Sequence, residues 1–176
     1  IGDLDSLESL FLHDNEFTSI PESIGNLTKL KMLDLENNLI TDLPASIGNL
    51  LNLENLVLDF NHLESIPETI GNLSSLITLE IRSNHLENLP GSIGNLSQLE
   101  WLYLNDNSLE TLPVNIGSLR TLKRLDIRNN TLSSLPDNIC EIYPGQWDCE
   151  YNSEGLCISA PICTTPPKCL EILSIY

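Results

Sequence analysis

The side chains of this chain that can do chemistry fall into three groups. Five cysteines, Cys140, Cys149, Cys157, Cys163 and Cys169, crowd into the last 37 of 176 positions, among Pro and Thr, and none precedes them. Thiols gathered in a loop-rich tail favour disulfides made in an oxidising compartment. Five is odd, so one stays free, buried or paired with another chain, and sequence does not fix the pairing. The rivals are a reduced buried set and zinc, and zinc fits poorly because the tail has no Cys-x-x-Cys and no histidine. The second group is His62 and His85, 23 positions apart, and the third is Trp101 and Tyr103 with Arg82 and Arg124. For catalysis nothing assembles: there is no HExxH, phosphate loop, GxSxG or Cys-His constellation. No enzyme, metal or cofactor is therefore expected.

A repeat positions these groups. Asn15, Asn38, Asn61, Asn84, Asn107 and Asn130 keep a period of 23, as do Pro21, Pro44, Pro67, Pro90, Pro113 and Pro136, and Gly2, Gly25, Gly48, Gly71, Gly94 and Gly117. A typical unit, Leu53 to Ser75, carries apolar residues at Leu53, Leu56, Leu58, Leu63, Ile66, Ile70 and Leu73, and the others repeat them. The Leu-x-Leu pair alternates as a short strand must, and the rest of the unit suits a turn and an extended or loosely helical return. Each Asn carries a donor and an acceptor for turn backbone that has no strand partner, which predicts a buried asparagine ladder. Pro suits an extended return outside the sheet, and Gly is expected to allow a tight bend. A unit's flat faces are apolar, so only neighbouring units bury them and the ends need caps.

The consensus LxxLxLxxNxLxxLPxxIGNLxx resembles the leucine-rich repeat family, close to the subclass with LP and IG-x-L in each unit. The resemblance implies an α/β-type solenoid, a horseshoe with a parallel concave sheet and extended or short helical convex segments. Residues 1–6 read as the tail of a preceding repeat, 7–144 as six repeats, and 145–176 as a degenerate strand with Trp147 and Cys149 at inward positions, leading into a cysteine-bearing cap. That tail resembles the disulfide caps of extracellular members. Cys140 stands where the repeat glycine is due, so the pattern changes where a cap must attach.

Strand alternation places Phe11, Met32, Val57, Asp59, Glu80, Arg82, Trp101, Tyr103, Asn105, Arg124 and Arg128 on the concave face, with Phe60 able to extend the patch. Trp101 and Tyr103 point the same way beside Arg82 and Arg124, the composition of interface hot spots, against a plainer account as an incidental aromatic pair. The basic residues Arg120, Lys123, Arg124 and Arg128 crowd the last units, where they either orient an acidic partner or neutralise Glu100, Asp106 and Asp126. His62 and His85 should lie roughly 5 Å apart, one strand spacing. They suit a divalent metal or a pH-sensitive contact, and the plainer account is two polar residues at the sheet margin.

A formal net charge of −17 argues against nucleic acid, whose phosphates are held by Lys and Arg. No run reaches the roughly 18 apolar residues of a membrane span. Four sequons, at Asn26, Asn72, Asn95 and Asn129, would accept glycans in a secreted eukaryotic chain. Together these features describe a non-catalytic extracellular or cell-surface recognition module taking a protein or glycan on its concave face. The alternatives are a structural subunit of an extracellular homo-oligomeric assembly and an intracellular signalling scaffold.

Overall fold

The structure, a computed structural model, describes residues 2–142. The degenerate strand and cap at 145–176, with Trp147, Cys149, Cys157, Cys163 and Cys169, lie outside the described residues.

Six three-residue strands, β1 (Ser9–Phe11), β2 (Met32–Asp34), β3 (Asn55–Val57), β4 (Thr78–Glu80), β5 (Trp101–Tyr103) and β6 (Arg124–Asp126), form one parallel sheet in sequence order. The register never slips: Ser9, Met32, Asn55, Thr78, Trp101 and Arg124 make one row. Each strand leads to a five-residue 3-10 helix on the opposite side: Glu22–Asn26, Ala45–Asn49, Glu68–Asn72, Gly91–Asn95, Val114–Ser118 and Asp137–Glu141. Proline caps every one from outside in extended backbone, and its carbonyl accepts the first turn's hydrogen bond, as from Ile47 N to Pro44 O at 3.0 Å. The missing proline N–H costs nothing at that position.

Leu and Ile of each unit fill the space between sheet and 3-10 helices, and the inner columns, such as Leu33, Leu56, Leu79 and Leu102, are wholly buried. In the first and last described units Leu7, Leu10, Leu12, Leu125, Leu132 and Leu135 are only partly covered.

The asparagine ladder is real but buried only in its middle. Asn61 Nδ2 donates to Leu35 O, Leu58 O and Asp59 O at 3.0–3.2 Å, and its Oδ1 accepts from Ile40 N at 3.0 Å. Asn38, Asn84 and Asn107 are buried with it. Asn15 is exposed and bonds only Leu12 O and His13 O of its own unit, and Asn130 is half-buried. Asn15 and Asn130 belong to the first and last of the described units.

The turn before each Asn holds Asp14, Asn37, Phe60, Ser83, Asp106 or Asn129 at φ between 52 and 59°. By contrast no described glycine has a positive φ, so the repeat glycine is not there to permit a bend. It is there for room: a Cβ on Gly25 would lie 2.6 Å from Ser46 O and one on Gly2 2.5 Å from Ser23 O of the next unit. Cys140 takes the corresponding place in the last 3-10 helix.

Candidate functional site on the concave sheet

The register turns β4, β5 and β6 into a three-by-three grid. Its rows are Thr78, Trp101 and Arg124; then Glu80, Tyr103 and Asp126; then Arg82, Asn105 and Arg128 just past the strand ends. Trp101 and Tyr103 are half-buried on the outward side while Leu102 between them is fully buried, as two-residue alternation requires. Arg82 lies over the Tyr103 ring, its guanidinium carbon 4.0 Å from the centroid, and Arg124 approaches the same ring at 5.5 Å. The ring's negative face attracts both cations, Arg82 the more strongly because it is closer.

Asp59 departs from its expected role. It is only 2% exposed, because the next unit's Arg82 closes over it: Asp59 Oδ1 accepts from Arg82 N and Oδ2 from Arg82 Nη1, both at 2.6 Å. Arg82 Nη1 also reaches Glu80 Oε2 at 2.5 Å. Burial outweighs these contacts and pushes the Asp59 carboxyl up to about 6, with the nearby Glu80 charge adding to the rise. Asp59 is therefore a buttress beneath Arg82 and not a surface a partner can touch. Asp126 is similarly sequestered, taking a two-pronged bond from Arg128 Nε at 2.8 Å and Nη2 at 2.5 Å.

Local pairing thus neutralises part of the basic cluster. Lys123 pairs with Glu100 at 2.7 Å and Arg128 with Asp126. Arg124 is different: among the described residues no carboxylate pairs with it, although it stands beside Trp101 in the sheet. In the third row of the grid, Asn105 Oδ1 is shielded from water and meets no donor. The face assignment from sequence omits Ser9 and Asn55, although both share the row of Trp101 and the 23-residue period points to them.

Phe11 is exposed on β1, edge-on to His13 at 6.4 Å between centroids, and His13 Nδ1 lies 3.1 Å from Asp34 Oδ2. Met32 and Val57 are half-buried on β2 and β3. These lie toward the other end of the sheet from the grid and extend it only as a strip. Phe60 lies beyond β3 in the turn, half exposed, so it borders the strip and does not line it. On the flank beyond that turn, His62 and His85 are exposed and their rings stack 5.4 Å apart at an interplanar angle of 12°.

Parallel strands joined by 3-10 returns around a buried asparagine ladder define a leucine-rich solenoid. The chain belongs to the leucine-rich repeat family: family models match it as a leucine-rich repeat region over 47–109, as two repeat copies over 5–48 and as a single repeat over 121–142. Comparison with curated proteins gives no match. Among solved structures, a leucine-rich repeat protein of Leptospira interrogans is 38% identical, with a TM-score of 0.78 over 80% of this chain and 36% of that one. The plant peptide hormone receptor RGFR1, in complex with RGF2, is 32% identical with a TM-score of 0.73, over 81% of this chain and 24% of the receptor. The functional domain of InlJ from Listeria monocytogenes, which includes a cysteine ladder, is 26% identical with a TM-score of 0.68, over 79% and 29% of the two chains. The chain therefore spans between a quarter and just over a third of these proteins. No helix among the described residues is long and apolar enough to cross a membrane.

Proposed function

We propose that this chain is a non-catalytic recognition module that binds a protein partner outside the cytosol, on the concave sheet, through Trp101, Tyr103 and Arg124. The observation that carries the reading is Arg124, a guanidinium without a carboxylate partner among the described residues, set beside Trp101 and over Tyr103. In a chain of net charge −17 nearby acids compete for every cation, and the other sheet arginines, Arg82 and Arg128, are paired. A partner carboxylate would take this guanidinium, and an apolar group would lie on Trp101. Aromatic residues flanked by Arg supply most of the binding energy at many interfaces.

The likeness to a peptide-bound plant receptor supports a protein partner, and the cysteine tail supports the compartment. The test uses the full chain and a Trp101→Ala, Tyr103→Ala double variant as immobilised baits against arrays of secreted proteins and glycans. Loss of at least about 30-fold in affinity, the equivalent of about 2 kcal/mol for a hot-spot side chain, with an unchanged melting transition, is the expected result. Full binding by a folded double variant would remove the site. Non-reducing mass spectrometry checks the compartment: intact disulfides support it, and five free thiols in protein taken from its native source overturn it.

A further inference from the structure

We infer that His62 and His85 form a two-imidazole chelate for a borderline divalent transition metal of the Cu²⁺, Ni²⁺ and Zn²⁺ class, a site separate from the concave sheet. Three observations carry it. The rings are parallel within 12° and 5.4 Å apart. They are exposed, so coordination needs no buried charge. Their backbones are fixed, because His62 N donates to Ile40 O and His85 N to Leu63 O, each at 2.9 Å, directly after the buried ladder residues Asn61 and Asn84.

With Zn–N distances of 2.0–2.1 Å, two nitrogens on one tetrahedral metal stand about 3.3 Å apart. In the observed stack the nitrogen lone pairs lie in two parallel ring planes, so one metal is reached only when rotation about the His62 and His85 side-chain bonds turns a nitrogen of each ring toward a common point. The equivalent positions in the other units, Glu16, Leu39, Ser108 and Thr131, offer no imidazole, so the pair occurs once in the ladder.

The donor set chooses the metal. Neutral imidazole suits Zn, Cu and Ni, while Mg²⁺ and Ca²⁺ require oxygen ligands. Among the described residues no group of three or more His, Cys, Asp or Glu side chains is placed to hold an ion. The two imidazoles are therefore the share of the coordination sphere that the described residues supply, and the open positions are left to water or to a donor from a partner. The acidic body attracts the cation toward the site without contributing a ligand.

The chain provides its own control, since His13, the third of its 3 histidines, is exposed but tied to Asp34. Ring ¹H–¹⁵N spectra of the full chain, thiols blocked with iodoacetamide so that the tail cysteines cannot compete, are followed during Ni²⁺ titration. We expect the His62 and His85 signals to broaden together at one equivalent, His13 to be unaffected, and Ca²⁺ to have no effect. His62→Ala and His85→Ala should each weaken binding about 100-fold, the gain a second tethered ligand brings. The inference is overturned if the two rings respond independently, if either single variant keeps the wild-type affinity, or if His13 responds equally. Circular dichroism of the variants guards against unfolding.

Discussion

Replacing Asn61 by Ala tests whether the ladder holds the stack together, and the consequence can be worked from its bonds. The amide has two N–H groups shared among three carbonyls and one acceptor that serves Ile40 N. Two of the carbonyls keep a second asparagine: Leu35 O still accepts from Asn38 and Leu58 O from Asn84. Asp59 O keeps Asn37 N. Only Ile40 N–H is left stranded, which costs about 1–3 kcal/mol, and two donated bonds are lost at about 1 kcal/mol each. The expected loss is therefore about 3–5 kcal/mol. The same change at the exposed Asn15 removes bonds only to Leu12 O and His13 O and should cost under about 1 kcal/mol.

Equilibrium urea unfolding measures both. A shift in midpoint at constant slope gives the loss, while a reduced slope for Asn61→Ala would show the stack dividing at that unit. Asn61→Asp separates bonding from cavity filling, because it keeps the shape but turns a carboxylate toward Leu35 O and Leu58 O, and it should be worse than Ala at neutral pH. Equal losses at positions 15 and 61, or an Asn61→Asp variant as stable as wild type, would refute this role for the ladder.

Three further outcomes rest on single positions. Phe60 is the bulkiest residue forced into the left-handed turn, at φ 54°, so Phe60→Asn should stabilise by about 1 kcal/mol in the same unfolding assay. Gly71→Ala drives a Cβ against Ser92 O and should destabilise by roughly 1–3 kcal/mol, whereas Gly91→Ala, whose Cβ meets only Asn115 Nδ2 at 3.5 Å, should leave the melting temperature nearly unchanged. Asp59, with a folded pKa of about 6 against about 3.9 unfolded, binds its proton more tightly when folded. This group therefore favours the folded state increasingly as pH falls from about 6 toward 4 and opposes it above. Asp59→Asn should flatten the stability profile over that window, and carboxyl NMR should show a titration near pH 6 that the variant lacks.

The repeat was legible because one unit's requirements recur: Leu at inward strand positions, Asn at the turn and Pro before the return each have a local physical reason that the sequence shows six times over. What the sequence concealed depends on contacts between units. Asp59 reads as an outward strand residue in its own unit, and only the next unit's Arg82, 23 positions on, buries it. The repeat glycine reads as a bend, yet its cause is a carbonyl in the adjoining unit.

The same distinction bears on function. Trp101 and Tyr103 share a direction because two-residue alternation alone sets it, and Arg128 is committed to Asp126 of its own unit, but nothing within one unit shows that Arg82 is taken by Asp59 while Arg124 has no carboxylate partner among the described residues. A recognition surface on a solenoid is a property of columns as much as of strands, and its free groups emerge only after each unit's charges have been matched against those of its neighbours. Among the described residues of this sheet that matching leaves the Arg124 guanidinium without a carboxylate, beside Trp101 and at the edge of a Tyr103 ring that Arg82 already covers.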